Sequence, residues 1–387
     1  MSSRALTEIR RQLQRLLRLP SGKHWIVSCY LKLEPRDRSR GKYLIKLKNR
    51  IREVIEALPA EGLDRQETEQ VIGDLHKLQV MLQRPDALPP TQGLAVFVSK
   101  PLGLFEIIPL PRVHRSRLLV DRTPLVRELA ALEDEVGRLL LAEVDKSGAT
   151  IYEVTAFEAR KIADIEATAR KGGRFHSDRH QAPGKGEHGF HNRLRHEREQ
   201  LFDAVAGKLF DLDRREPVRG IVLASAGNEA ESLRMFLHPY VAGKVVGTAR
   251  MARRKASIGT VHATALEIRE AYERKLERHL VAEMLLGQGS GWAVNGIAAT
   301  LDALAKGQVR TLLVRADASV PGFRCGVSGR LTLNPRDCRS LGDAIPVPDV
   351  IDDAIEEALR QRIDLDVVFE PDAAETINGI AALLRFR

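Results

Sequence analysis

The sequence predicts an α/β protein of three domains. Three observations carry that prediction. Short apolar runs of strand type alternate with longer stretches whose apolar residues recur every three to four positions. The chain has 387 residues, room for two or three cores of ordinary size. Polar, proline-rich or glycine-rich stretches separate three blocks, read as residues 1–132, 133–262 and 263–387.

The first block opens on a basic amphipathic segment. Leu6, Ile9, Leu13, Leu16 and Leu17 share one helical face, and Arg4, Arg10, Arg11, Arg15 and Arg18 surround it. Such a segment suits a helix packed on the domain or on RNA, with a transit peptide or membrane-surface helix as the alternative. Ile26 to Leu33 follows as a strand, and Tyr43 to Leu58 as an amphipathic helix with Leu44, Leu47, Ile51, Val54 and Ile55 turned inward. A second helix covers about Glu67 to Gln83. Beyond Pro85, Pro89 and Pro90 lie strands at Gly93 to Val98 and Phe105 to Ile108, then an extended stretch to Thr123.

In the second block, Arg138 to Val144 and Ala149 to Thr155 flank Lys146-Ser147-Gly148, a hairpin signal. After a polar, glycine-rich interruption come a helix from about Phe190 to Leu209 and a strand at Gly220 to Ala224. A helix at Glu229 to Leu237 and a strand at Lys244 to Thr248 complete the block. A hairpin followed by alternating helix and strand predicts a mixed sheet covered by helices.

The third block starts with the charged helix Ala265 to Leu286. Ala293 to Ala305 reads as a helix and Gln308 to Val314 as a strand. A Gly/Pro/Cys-containing excursion follows from about Pro321 to Pro348. The helix Asp349 to Arg360, the strand Asp366 to Phe369 and the run Ile380 to Phe386 close a second α/β sandwich.

Composition narrows the function classes. Lys and Arg total 61 against 52 Asp and Glu, a formal charge of +9, so the favoured partner is a polyanion. No apolar stretch approaches the length that crosses a bilayer, so no membrane is expected as a partner. Three cysteines, Cys29, Cys325 and Cys338, are too few for a disulfide framework and fit a reducing cytoplasm.

The most unusual stretch is Arg170 to Arg198. It gathers five of the eleven histidines, five glycines and eight Lys or Arg residues against three acids. Such a segment lies on the surface rather than in a core, and long surface loops are usually functional or disordered. Glycines let backbone N–H groups approach an anion, so Gly172, Gly173, Arg174, Arg179, Gly184, Lys185, Gly186, Arg193 and Arg195 are the candidate phosphate-binding residues. His176-x3-His180 and His188-x2-His191 have ligand-like spacing. Pro183 and the glycines break any helix that would fix them, and the surrounding cations oppose a metal, so none is expected. In the first block the candidate RNA-facing stripe is Lys42, Lys46 and Arg50, one helical turn apart.

The hairpin, the glycine-rich loop and the helix opening Arg193-Leu194-Arg195-His196-Glu197 together resemble the middle domain of the archaeo-eukaryotic class I release factors and Pelota. In that family a Gly-Gly-Gln tip precedes an arginine-rich helix start and orients water on the peptidyl-tRNA ester. Here Gly172-Gly173 is followed by Arg174, and the tip placed from the helix start falls at Gly184-Lys185-Gly186-Glu187, without glutamine. Gln181 has no glycine pair before it. The segments Gly289-Ser290-Gly291-Trp292-Ala293-Val294-Asn295-Gly296, Gly307-Gln308-Val309-Arg310-Thr311-Leu312-Leu313-Val314 and Asn378-Gly379-Ile380-Ala381-Ala382-Leu383-Leu384-Arg385-Phe386 resemble the family's C-terminal domain. Some relatives carry a zinc ribbon where Cys325 and Cys338 lie. With two single cysteines, a metal-free insertion is expected. No Asn-Ile-Lys-Ser codon reader is present in the first block.

The resemblance implies an RNase H-like middle domain and a C-terminal domain like ribosomal proteins that bind kinked RNA. It implies a cytoplasmic factor at the ribosomal A site, contacting ribosomal RNA or tRNA and a translational GTPase, with no cofactor. The expected role is rescue of stalled ribosomes or hibernation without Gly-Gly-Gln-type release. The rivals are a peptidyl-tRNA hydrolase or tRNA-cleaving enzyme using Gln181, Glu187 or a loop histidine, and a stress-related RNA-binding protein that never meets a ribosome.

Overall fold

Four sheets organise the computed structural model of the chain, a mixed α/β architecture. It describes every residue except 1–3, 21, 34–37, 39–40, 62, 85–87, 90, 168–184 and 255. At 4–8, 60–61 and 185–194 only the backbone is described. Two units emerge, one of residues 1–6 and 135–273, the other of residues 7–134 and 274–387.

In the second of these units, helix α1 (Arg4–Leu17) buries Ile9, Leu13 and Leu16. Its arginines are partly spent on the same unit: Arg10 pairs with Glu133 at 2.6 Å and Arg15 pairs with the buried Glu106. The basic N-terminal segment is therefore a packed helix. Strands β1 (Ile26–Lys32), β2 (Gly93–Ser99), β3 (Leu104–Leu110) and β4 (Arg117–Asp121) form an antiparallel sheet in the order β3-β2-β1-β4. Helices α2 (Lys42–Ala57) and α3 (Arg65–Leu82) cover it, burying Leu47, Ile51, Val71, Leu75 and Leu78 against Val27, Cys29 and Leu94. Asp64 begins α3 with a reciprocal cap: it accepts from the Glu67 N–H at 2.6 Å while Glu67 accepts from the Asp64 N–H. Helix α4 (Arg127–Glu135) follows β4, in a stretch left unassigned between the extended run ending at Thr123 and the second block.

The other unit holds a five-stranded mixed sheet, β7-β6-β5-β8-β9. It comprises β5 (Leu139–Asp145), β6 (Gly148–Val154), β7 (Ala159–Glu166), β8 (Gly220–Ser225) and β9 (Val245–Arg250). The expected hairpin pairs β5 with β6, closing at Asp145 opposite Gly148. The Asp145 carboxylate accepts from the Ser147 N–H and hydroxyl at 2.7 Å and from the Gly148 N–H at 3.0 Å. Strand β7 occupies what the sequence presented as a polar interruption; its exposed Arg160 and Lys161 hide the alternation that marks a strand. Helix α5 (Lys185–Arg215) starts five residues before the expected Phe190. His188 and His191 therefore lie within a helix, contrary to the expectation that Pro183 and the glycines would exclude one there. Gly186 and Gly189 cost the helix roughly 1 kcal/mol each, and its length absorbs that. Leu201, Phe202, Val205 and Leu209 of α5 pack on Leu140, Ile151, Ile221 and Leu223, beside α6 (Glu229–Arg234) and α7 (Pro239–Ala242).

Helix α8 (Ile258–Gln288) precedes in sequence the C-terminal sheet, formed by β10 (Ala293–Asn295), β11 (Val309–Arg315), β15 (Asp364–Val368) and β16 (Ile380–Leu384) in the order β10-β16-β11-β15. The expected helix at Ala293 begins only after a strand: β10 comes first, Gly296 turns at φ +118°, and α9 (Ile297–Ala305) follows. The excursion carries a small sheet of β12 (Gly322–Cys325), β13 (Leu331–Thr332) and β14 (Ala344–Val347) in the order β13-β12-β14. Helices α10 (Val350–Arg360) and α11 (Pro371–Glu375) complete the fold.

Within that excursion Cys325 and Cys338 form a disulfide, Cα atoms 5.1 Å apart, whereas cysteine count alone argued for free thiols. The count excludes a framework; it does not exclude one staple where β12 and the turn at Pro335–Cys338 bring two side chains together. Paired sulfurs leave no thiolate for a metal. Elemental analysis should return no stoichiometric zinc, and Cys338→Ser should change nothing in that measurement. One zinc per chain, lost in the variant, would contradict this.

The face of α10 that meets the first sheet is acidic and buried. The Thr123 hydroxyl donates to Asp353 at 2.9 Å, and the Val126 and Arg127 N–H groups donate to the two oxygens of Asp352. Burial pushes Asp352 up to about 8 and Glu356 to about 7, and raises Asp353 and Asp121, which also repel each other. An acid raised by folding stabilises fully below its unfolded value, about 4, and loses that contribution as pH climbs through the folded value. The contribution of this face is therefore lost between about pH 4 and 8. Hydrogen exchange at the Val126 and Arg127 amides should quicken across that window beyond the intrinsic pH trend, and Asp352→Asn should flatten the dependence. Equal slopes in both proteins would rule it out.

Candidate nucleic-acid interface

The chain that leads into the glycine-rich segment is anchored in the five-stranded unit. At its entry, β7 pairs with β6 through Glu166 opposite Gly148, and the Ala167 N–H donates to the Ser147 carbonyl at 2.8 Å. Arg253, its side chain 1% exposed, anchors this corner: Nε donates to Thr150 at 3.1 Å, Nη1 to Ser147 at 3.1 Å, and Nη2 to Asp164 at 2.8 Å and Glu166 at 3.1 Å. Arg254 adds Asp164 at 2.8 Å and a contact with Glu166. It does so from φ +63°, a left-handed conformation uncommon outside glycine and held here by those two carboxylates. Lys161, then Arg253 and Arg254, hold the Asp164 carboxyl far below the usual range. Arg253 first and then Arg254 depress Glu166.

The sequence reading missed this arginine pair. Its signal was present as Arg250-Met-Ala-Arg253-Arg254-Lys255, a basic run just after a strand. Beside it the Glu143 carboxyl is fully buried on β5 and raised by that burial, although Arg254 donates a backbone N–H and Tyr152 its hydroxyl, the latter at 3.2 Å. Burial, then Glu143 itself, pushes the Tyr152 phenol up to about 12. Burial also pushes Asp145 up, but the hydrogen bonds from Ser147 and Gly148 outweigh it and leave that carboxyl below its ordinary value.

Of the loop candidates, Gly172, Gly173, Arg174, Arg179 and Gly184 lie outside the described residues, as does Gln181. Lys185 and Gly186 open α5, and Arg193 lies two turns along it. Arg195 is exposed, 3.1 Å from Glu199 one turn on. A pair so exposed contributes at most about 1 kcal/mol and exchanges readily for a phosphate contact. Arg198 is committed: it donates to Ser232 at 2.7 Å and its guanidinium lies over the Phe202 ring.

The other candidate stripe lies on α2 in the other unit. Lys42 and Lys46 are exposed, while Arg50 is half-buried and donates to the Ser116 carbonyl. Among the described residues no helix is long and apolar enough to cross a membrane.

Residues 124–270, the block that holds this corner and the loop, match the protein family described as bacterial archaeo-eukaryotic release factor family 10. No curated protein matches the chain. Among solved structures, the archaeal translation termination factor aRF1 is 15% identical, with 99% of this chain and 98% of that one covered and a TM-score of 0.28. The Pelota of Archaeoglobus fulgidus is 16% identical over 65% of each chain, TM-score 0.31. S. cerevisiae Dom34, a termination-like factor of RNA quality control, is 13% identical over 76% of this chain and 74% of its own, TM-score 0.40. The likeness to the bacterial archaeo-eukaryotic release factors thus rests on the central block, residues 124–270.

Proposed function

We propose that the protein is a ribosome-binding translation factor that acts at the A site, in rescue of stalled ribosomes or in hibernation, without Gly-Gly-Gln-type peptide release. The observation that carries this reading is the central block itself. It matches the release-factor family model, and its basic, glycine-rich stretch sets Arg174 after its only glycine pair. In this reading residues 1–132, 133–262 and 263–387 act as three domains. The loop residues Gly172, Gly173, Arg174, Arg179, Gly184, Lys185, Gly186, Arg193 and Arg195 contact phosphates of ribosomal RNA or tRNA, as does the stripe Lys42, Lys46 and Arg50. A translational GTPase is the further partner, and the cytoplasm is the compartment. The titles of related structures support these partners by analogy alone: one describes an archaeal Pelota bound to the ribosome with ABCE1, another Dom34 interacting with Hbs1.

The test is sedimentation through a gradient at several salt concentrations. Binding through six to ten phosphates should weaken by about a thousandfold or more between roughly 50 and 200 mM salt. The protein should therefore travel with ribosomes at low salt and leave them as salt rises. Protein at the top of the gradient at every salt would overturn the reading in favour of an RNA-binding protein apart from the ribosome. Lys185→Ala and Arg193→Ala should each weaken binding and lower the salt slope by about one. Gln181→Ala should leave it unchanged. Peptidyl-tRNA hydrolysis by the wild type, abolished by Gln181→Ala or Glu187→Ala with ribosome binding intact, would make the loop catalytic instead.

A further inference from the structure

In the unit formed by residues 7–134 and 274–387, arginines outnumber the acids around a cavity of about 310 Å³ whose wall is part polar and part apolar. The cavity opens between α2, the start of β4 and the stretch before α10, and Arg50, Arg115, Arg117, Glu53, Ser319 and Asp349 line it. Its volume is at the lower end for small-molecule sites, enough for one compact charged group with some water.

The cations there are poorly matched. The Arg117 side chain is 12% exposed; its Nη1 lies 3.4 Å from Asp349, and its Nη2 is buried with no hydrogen-bond partner. Asp349 is already shared, since the same Oδ2 accepts from Arg127 at 3.1 Å and from the Ser319 hydroxyl at 2.9 Å. One carboxylate thus serves two buried guanidiniums. Burial first, then the charge of Arg127, lowers Arg117, against the opposing pull of the Asp349, Glu128 and Asp352 carboxylates. Arg50 reaches the same wall from α2 while donating to Ser116, and Arg115 is exposed at the mouth. The carboxylate of Glu53 lies on that wall too, so the site selects for an anion strong enough to compete with it.

A buried N–H left unpaired costs about 1–3 kcal/mol, more for a charged group, and a fork of guanidiniums is the geometry that recognises phosphate oxygens. We propose that the cavity lined by Arg50, Arg115 and Arg117 is a phosphate-binding site that takes a phosphate monoester, a diester of an RNA backbone, or the free anion. Arg117 Nη2 supplies the deep donor and Arg115 closes the mouth. None of these three residues lies in the glycine-rich loop, so the site stands apart from the proposed loop contact.

The experiment titrates the full-length protein with inorganic phosphate, and separately with a short single-stranded RNA, by calorimetry. Wild type should bind one phosphate per chain. Arg115→Ala, an exposed change that leaves the fold intact, should weaken binding about tenfold, and Arg117→Met by more. Arg65→Ala, in a surface pair on α3, should change nothing and thereby exclude a general charge effect. RNA binding tighter than phosphate, and weakened by the same two variants, assigns the site to a nucleic-acid backbone. Phosphate binding alone assigns it to the free anion. No saturable binding of either ligand in the millimolar range, or affinities equal in wild type and Arg115→Ala, overturns the proposal.

Discussion

Replacing Arg127 by alanine should destabilise the unit that contains it by about 3–5 kcal/mol, the cost of removing one member of a buried ion pair. The side chain is 2% exposed. It donates to the Ala318 carbonyl and to Asp349, and its backbone N–H holds Asp352 at 3.1 Å. Truncation leaves Asp349 buried with Arg117 at 3.4 Å as its one cation, beside the Ser319 hydroxyl and the Ile351 N–H, and opens a cavity besides. Lysine should not rescue the loss, since it lacks the planar fork that spans a carbonyl and a carboxylate at once. Chemical denaturation followed at the β1–β4 sheet checks this. A midpoint within about 1 kcal/mol of wild type would show that water replaces the guanidinium at little cost.

Phe202→Ala should cost the other unit about 3–5 kcal/mol, as large aromatic truncations in cores do. Phe202 lies on the inner face of α5, 2% exposed, with Phe236 edge-on at 5.3 Å between centroids and Arg198 above it. The aromatic pair adds about 0.5–1.5 kcal/mol to the burial. Helix α5 also carries Lys185 and Arg193. The variant should therefore lose ribosome affinity as well as stability, while Phe202→Leu should recover most of both. Loss of stability with full affinity would separate the loop's action from the seating of its helix.

Much of this architecture was legible in the residues. The hairpin follows from the turn residues Lys146-Ser147-Gly148, and the inward face of α2 from periodicity, because one side of that helix meets a core and the other meets solvent. What escaped detection had no such asymmetry. Strand β7 alternates only weakly because it is an edge strand whose side chains are mostly exposed or paired with other charged groups. Helix α4 is short and carries Glu128, Glu133, Asp134 and Glu135 among its apolar residues. The disulfide needed the fold to bring residues 325 and 338 together. The same limit applies to the interface: the loop's composition favours a polyanion, whereas Arg253, Arg117 and Arg127 look like any other arginine until their partners, as many as 232 residues away for Arg117 and Asp349, are in place.

That separation shapes how the protein is made. Residues 135–273 form one uninterrupted piece, so their sheet and its helices complete as soon as they leave the synthesising ribosome. The unit of residues 7–134 and 274–387 cannot do so. At a synthesis rate of about 5–20 residues per second, roughly 10 to 45 s pass between the appearance of Arg127 and that of Asp349. Through that interval the four strands of the N-terminal sheet exist without the acidic face of α10, and Arg117 and Arg127 without Asp349. A nascent chain arrested before Asp349 therefore presents Arg117 and Arg127 without the carboxylate that pairs them, open to any polyanion nearby, the ribosome included.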